Sequence, residues 1–301
     1  MPEYEIIANQ LAGRGRATSI AESAKRCFSD AQADYRFHAT TYAGQAVELA
    51  RQAVLSGSRV IVALGGDGTV NEVINGMMSA GSEALPELAI IPAGSGNDFS
   101  AVNQIPSGTL AACQVALSGR SRRVDIVRMV LDGSDSSYYH NTLGIGFDAL
   151  VNIETRRLRG LRGMPLYFVA LLRTVFLRLV PMQITLMTDD KTIRHDTLMV
   201  VAANGRCEGG GFVLAPEALV DDGELELLYT DVVSHLRVFE LIPKFMRGTH
   251  LKHKAIHLVK AKKVVVSSPD DLYMHVDGEI IERPVHHIEL EVLPGAIALR
   301  S

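Results

Sequence analysis

The chain has 301 residues, long enough for two separate cores, and with 47% apolar and 21% charged residues it has a globular rather than a disordered composition. Its formal net charge of −4 gives no global attraction to nucleic acid, and three scattered cysteines at 27, 113 and 207 argue against a disulfide framework or a cysteine zinc site. The longest strongly apolar stretch, Met164–Leu172, is far shorter than the roughly 20 residues of a spanning helix, and Met1–Glu5 has neither the basic nor the apolar region of a signal peptide, so a reducing cytoplasm is the expected setting.

In chain order, β-rich runs at Tyr4–Ala8, Tyr35–His38, Arg59–Leu64 and Leu88–Ile91 alternate with amphipathic segments at Thr18–Phe28, Ala43–Leu55 and Thr69–Met78. In the last segment Val70, Val73, Ile74 and Met77 share one face, while Asn71, Glu72 and Asn75 lie elsewhere. Strand–helix alternation predicts a mainly parallel sheet covered by helices. After about residue 124 the texture changes to strand-like runs: Val124–Val130, Ser137–Leu143, Met182–Met187, Thr197–Ala203, Glu224–Tyr229, Lys263–Val266, Leu272–Val276 and Ile288–Val292. Turn clusters such as Asp132-Gly133-Ser134-Asp135, Asp189-Asp190 and Asp221-Asp222-Gly223 separate them, which predicts a mainly antiparallel β domain, interrupted by one helix near Pro165–Leu179.

Two loops carry the chemical signal. Gly65-Gly66-Asp67-Gly68-Thr69 joins a strand to a helix, where glycines let the backbone approach a phosphate and the helix start offers N–H groups and a positive dipole end; Thr69 can cap the helix or touch phosphate. No GxxxxGK[ST] is present, so this is not a Walker loop. Pro92-Ala93-Gly94-Ser95-Gly96-Asn97-Asp98-Phe99 follows the next strand, and Asn97 and Asp98 offer oxygen ligands suited to a hard cation. Loops after successive parallel strands gather at one edge of an open sheet.

Together, Gly65–Thr69 and Pro92–Phe99 resemble the catalytic domain of the diacylglycerol kinase family, shared with sphingosine and ceramide kinases, and the chain is similar to bacterial diacylglycerol kinase-like lipid kinases over nearly its whole length. Asn9-Gln10-Leu11-Ala12-Gly13-Arg14-Gly15 resembles the family's opening Asn-Pro-x-x-Gly loop, with Gln10 in place of proline. Thr40 and Gly44 resemble its T-x-x-x-G stretch, and Gly144–Ala149 another of its loops. Read alone, Gly144-x-Gly146-x-x-Ala149 is a weak dinucleotide fingerprint in the wrong context.

The resemblance implies an α/β nucleotide-binding domain over 1–125 and a mainly antiparallel β-sandwich domain over 126–301, whose last segment packs back on the first. It implies ATP and Mg2+ as cofactors. Nucleotide contacts fall on Asn9, Thr40, Gly65, Gly66, Asp67, Gly68, Thr69, Asn71, Gly94, Ser95, Asn97 and Asp98. A structural magnesium site falls on the Leu219 carbonyl, the Asp222 carboxylate and the Glu224 carbonyl, downstream of Gly209-Gly210-Gly211. The general base falls in Asp277-Gly278-Glu279: Glu279 by motif position, with Asp277 and Asp67 as alternatives.

The implied activity is ATP-dependent phosphorylation of a lipid hydroxyl, on diacylglycerol or a related lipid. Rival readings are a soluble NAD kinase-like enzyme, since GGDG is shared, and a nonenzymatic lipid sensor on the same fold. Two basic stretches suit an anionic membrane: Arg156, Arg157, Arg159 and Arg162 before the apolar helix, and His235–Lys263, where Arg237, Lys244, Arg247, Lys252, Lys254, Lys260, Lys262 and Lys263 face only Glu240. The expected partners are a lipid substrate and the inner membrane face, touched peripherally, with room for a homodimer and no nucleic acid.

Overall fold

A computed structural model describes residues 2–82, 84–134, 136–158, 163–209 and 212–301. Arg159, Arg162, Asp135, Gly210 and Gly211 of the sequence motifs lie outside the described residues. The chain divides into two compact units, Met1–Ile126 with Tyr138–His140 and Leu293–Ser301, and Val127–Ser137 with Asn141–Val292.

The first unit is built from β1 (Tyr4–Ala8), α1 (Arg16–Asp30), β2 (Tyr35–Ala39), α2 (Gln45–Leu55), β3 (Val60–Gly65), α3 (Asp67–Met78), β4 (Glu87–Pro92), α4 (Asp98–Val102), α5 (Thr109–Ser118) and the start of β5 (Ser121–Leu131). Strand order is β2-β1-β3-β4, parallel throughout, and Leu299 near the chain end pairs in parallel with Leu88. Every residue of β1 and β3 is buried, because helices cover both faces of a parallel sheet. α1 buries Ala17, Ala21, Ala24 and Phe28, a stripe at helical spacing that packs with Ala112, Cys113 and Ala116 of α5 on the sheet. α3 approaches α2 closely at Gly76, where any Cβ would meet the Val47 carbonyl. The parallel direction puts the loops after β1, β2, β3 and β4 on one edge.

The second unit holds the end of β5, β6 (Ser137–Tyr139, shared with the first), β7 (Thr142–Gly146), α6 (Phe147–Arg157), α7 (Gly163–Arg178), β8 (Met182–Thr188), β9 (Thr192–Thr197), β10 (Met199–Ala203), β11 (Cys207–Glu208), β12 (Phe212–Val213), β13 (Leu225–Thr230), α8 (His235–Met246), β14 (Ile256–Ala261), β15 (Lys263–Leu272), β16 (Met274–Val276), β17 (Glu279–Ile280) and most of β18 (Val285–Arg300). One sheet runs β14-β13-β10-β7-β16-β17, β18-β15-β8-β9 form a second, and β11-β12 form a small two-stranded one, all antiparallel within this unit. β8 alternates in burial, with Met182, Ile184 and Leu186 inward, as a sheet with one wet face requires. The predicted α/β-plus-antiparallel-β architecture is what is found.

Three details differ from the sequence expectation. The run Thr197–Ala203 is two strands, because β9 ends at Thr197 and β10 starts at Met199. Ser137–Leu143 likewise divides between β6 and β7. The second unit has α6 and α8 besides α7. α8 lies in the stretch that reads as basic, and it contains Pro243, which removes one helical N–H, yet Val238, Leu241 and Phe245 bury one face and hold it.

Candidate active site

In the first unit the two glycine loops are fastened to each other. Ala93 N–H donates to the Gly65 carbonyl at 2.7 Å. The Asp67 carboxylate accepts the backbone N–H of Asn97 at 2.7 Å and of Phe99 at 3.3 Å. Asn97, at φ +58, folds its own side chain back, with Oδ1 accepting Gly94 N–H at 2.9 Å and Nδ2 donating to the Gly94 carbonyl at 3.2 Å. The glycines are needed for space: a Cβ on Gly66 would stand 3.0 Å from Gly94 Cα, and one on Gly96 would stand 3.0 Å from an Asp67 carboxylate oxygen. A Cβ on Gly13 would collide with the Ala93 carbonyl, so the first loop joins the same cluster. Ser95 and Gly96 are exposed. The result is a ridge of accessible small-residue backbone beside the start of α3, suited to phosphate oxygens.

Other predicted nucleotide contacts have definite structural duties. Asn9 Oδ1 accepts Leu11 N–H at 3.1 Å, and Thr40 N–H donates to Ala8 at 2.9 Å. Thr69 is buried, with its side chain beneath Gly65. The Asn71 amide donates to the Tyr138 carbonyl at 3.3 Å, beside Asn75, which exchanges bonds of 2.8 and 2.9 Å with Tyr138. Glu72, read only as an off-face position in the sequence, accepts N–H from Gly44 at 3.0 Å and Ala46 at 3.2 Å and so holds the start of α2 on α3.

In the second unit, Asp277 and Gly278 make the β16–β17 turn, at φ +48 and +81. Asp277 is buried, and its Oδ1 accepts N–H from Asn141 and Thr142, each at 3.0 Å. Glu279 points outward, its side chain 70% exposed, and pairs with Arg156 at 2.7 Å. Arg157 and two arginines of α7, Arg173 and Arg178, instead gather on buried Glu154, at 3.1, 3.0 and 3.2 Å. Burial alone would raise the Glu154 carboxyl; the arginines hold it below its ordinary range.

The sequence reading passed over a buried polar cluster in this unit. His275, fully buried, lies with Nε2 2.8 Å from Asp148 and Nδ1 3.1 Å from Glu208, the latter out of line for a hydrogen bond. The Thr142 hydroxyl donates to Glu208 at 2.5 Å. Burial pushes the Glu208 carboxyl up to about 8, against the pull of the imidazole. Burial opposes charge on His275, yet the Glu208 and Asp148 carboxylates together carry it up to about 9. Asp148, Glu208 and His275 thus form a buried charged cluster, with one donor atom from each lying within 4.8 Å of the others. Gly144 explains the local motif, since a Cβ there would strike both His275 and Asp148. The legible signal was His275 itself, an inward position two residues before Asp277.

Asp148 and Glu208 also line a cavity of about 360 Å³ walled by apolar side chains, among them Phe147, Leu171, Phe212, Phe239 and Leu241. Among the described residues its other polar side chains are Asn152 and Thr230.

At the expected magnesium site, Asp222 Oδ1 accepts Glu224 N–H at 3.1 Å, and Lys260 Nζ lies 3.5 Å from Asp222 and 3.8 Å from Glu226. Glu226 is buried, and neither of its carboxylate oxygens has a hydrogen-bond partner. Burial first, then Glu217 and Asp222, push its carboxyl up against Lys260. Lys260 is the cation that the Asp222, Glu224 and Glu226 carboxylates share here, and the same carboxylate oxygens, one pair buried without a hydrogen bond, are of the kind a hard metal cation takes.

The first unit thus presents glycine loops on a parallel-sheet edge, and the second, taken by itself, an apolar cavity. Residues 3–129 match the diacylglycerol kinase catalytic domain, and residues 141–301 match the YegS C-terminal NAD kinase beta sandwich-like domain. The chain is 31% identical to a diacylglycerol kinase of Staphylococcus saprophyticus over 243 residues, covering 80% of this chain and 77% of that one. It is 32% identical to a "Probable lipid kinase YegS-like" protein of Pectobacterium atrosepticum over 261 residues, covering 85% and 83%. A diacylglycerol kinase structure from Bacillus anthracis str. Sterne superposes with a TM-score of 0.75 at 21% identity, over 99% of this chain and 96% of that one, which shows the shared fold. The chain belongs to the diacylglycerol kinase-like lipid kinase family, phosphotransferases with an alcohol acceptor.

Proposed function

We propose that this protein moves the γ-phosphate of ATP to the hydroxyl of a membrane lipid, diacylglycerol or a close relative, with Mg2+. The observation that carries the reading is the cavity of the second unit. A dinucleotide acceptor needs many polar partners, whereas acyl chains need the nearly continuous apolar wall that α6, α7 and α8 supply. This favours a lipid over an NAD kinase-like substrate.

The backbone of Gly65–Thr69 and Gly94–Asp98 binds the phosphates, and the loops at Asn9 and Thr40 bind the rest of the nucleotide. The Leu219 carbonyl, the Asp222 carboxylate and the Glu224 carbonyl would hold Mg2+. That ion, when bound, supplies positive charge among the carboxylates of this turn and ties the turn to the folded state. Of the three candidate bases, Asp67 and Asp277 each spend a carboxylate on two backbone N–H groups. Among the described residues Glu279 pairs with an exposed arginine alone, a weak pair, so it is the group best able to take the hydroxyl proton.

The outer faces of α7 and α8 support peripheral contact with a membrane. Leu236 is 82% exposed, Phe176, Leu177 and Val180 are exposed as well, and Arg237, Arg247, Lys252 and Lys254 are exposed cations of the same unit. Among the described residues no helix is long and apolar enough to cross a membrane.

The test supplies ATP labelled at the γ-phosphate with dispersed diacylglycerol, phosphatidylglycerol, a sphingoid base or NAD. Label should enter a lipid fraction and depend on Mg2+. Label in NAD would select the rival enzyme, and no transfer to any acceptor would select a lipid sensor.

A further inference from the structure

Two histidines and an aspartate meet in the second unit, in a place that the phosphoryl-transfer reading does not use. His195 lies on β9, Asp231 just after β13 and His257 on β14. His257 Nε2 is 2.7 Å from Asp231 Oδ1, and His195 Nε2 is 3.1 Å from the same oxygen. We propose that His195, Asp231 and His257 bind a divalent transition-metal ion of the zinc type, which clips β9 of one sheet to β13 and β14 of the other.

Three observations carry this. The first is donor chemistry: two imidazole nitrogens and one carboxylate oxygen suit zinc, whereas magnesium takes oxygen. The donor atoms lie within 4.8 Å of one another. Zinc bonds of about 2.0–2.1 Å span at most about 4.2 Å between opposite ligands, so only a small ring rotation closes the site.

The second is an unmet polar atom. His195 Nε2 is shielded from solvent, stands near Asp231 and yet forms no hydrogen bond, because it is out of line with the oxygen. The imidazoles stand nearly perpendicular, at 73° with centroids 5.5 Å apart, as two ligands converging on a single ion can be. A simple His–Asp–His charge chain would align both rings on the carboxylate; only His257 is aligned.

The third is preorganisation. The buried Tyr229 ring stacks on His257 at 4.9 Å and meets His195 edge-on at 5.2 Å, which fixes both ring planes. Tyr229 and His257 are ladder partners, Ile184 and His195 are ladder partners, and Asp231 N–H donates to Ala255 at 2.9 Å. All three ligands therefore rest on rigid backbone. His195 also lines a surface hollow with Arg194 and Asp196.

The test titrates chelator-treated full-length protein with Zn2+ by calorimetry, with excess Mg2+ present to occupy oxygen-only sites, and follows the melting temperature in parallel. Wild type should bind one equivalent at this site and melt several degrees higher with zinc. His195→Ala and His257→Ala should each weaken that binding at least tenfold and abolish the shift, with far-UV circular dichroism unchanged. A His286→Ala/His287→Ala control should behave as wild type. Absence of zinc binding by wild type, or equal binding by the His195 and His257 variants, overturns the site, and so does loss of binding in the His286/His287 control. Lipid phosphorylation is read separately, so failure here leaves the kinase assignment standing.

Discussion

The carboxylate of Asp67 accepts the backbone N–H of Asn97 at 2.7 Å, so the loop after β3 holds the loop after β4 in shape. A side chain that reads in the sequence as a candidate reaction partner also fastens the two glycine loops together. Asp67→Asn replaces an anionic acceptor with an amide that turns a donor toward one of two N–H groups. Turnover should fall by at least roughly a hundredfold through misplaced phosphates, with weakened ATP affinity and little change in melting temperature. Wild-type ATP affinity in this variant would remove the clamp role.

Asp277 and Glu279 should separate cleanly. Asp277→Ala leaves the Asn141 and Thr142 N–H groups without their acceptor, at a cost of about 1–3 kcal/mol in denaturant unfolding. Glu279→Gln touches only exposed surface and should leave stability unchanged, while kcat drops by roughly 10²–10⁴-fold and the acidic limb of the rate profile disappears. Should Glu279→Gln retain that limb, the proton goes elsewhere.

The magnesium site predicts a ligand-dependent stability. Mg2+ should raise the melting temperature of wild type and barely move that of Asp222→Ala, because the ion ties the 219–224 turn to the folded state alone. Equal shifts in the two proteins would rule the ion out of this turn.

The buried network makes stability depend on pH. Glu208 titrates near 4.5 and His275 near 6.5 when unperturbed, and folding raises them to about 8 and about 9. Each therefore holds its proton more tightly folded than unfolded, so its contribution is complete below the unfolded value and is lost as pH rises through the folded one. Melting temperature should decline from pH 6 to pH 9 for this reason, and Glu208→Gln should flatten the decline. An unchanged slope in that variant would place the pH dependence outside this cluster.

Membrane contact predicts that Leu236→Asp, or reversal of Arg247, Lys252 and Lys254 to glutamate, weakens binding to anionic vesicles, with wild-type affinity falling as salt rises. Binding that is indifferent to salt and to both sets of substitutions would leave these faces as ordinary solvated surface.

The sequence by itself determined the alternation of strands and helices in the first unit, the antiparallel texture of the second and the two glycine loops. Those signals are local: apolar periodicity reports which face is covered, and a glycine marks where backbone must pass close. α8 stayed hidden because Pro243 contradicts a helix locally, and Val238, Leu241 and Phe245 packing in the core override it. Partnership across long separations was decided by tertiary structure alone. Asp67 meets Asn97, Asp277 meets Asn141, His275 meets Asp148 and Glu208, and His195 meets Asp231 and His257. A carboxylate's role depends on what it faces, and strand register, which brings residues far apart in sequence side by side, sets that only once the chain is folded.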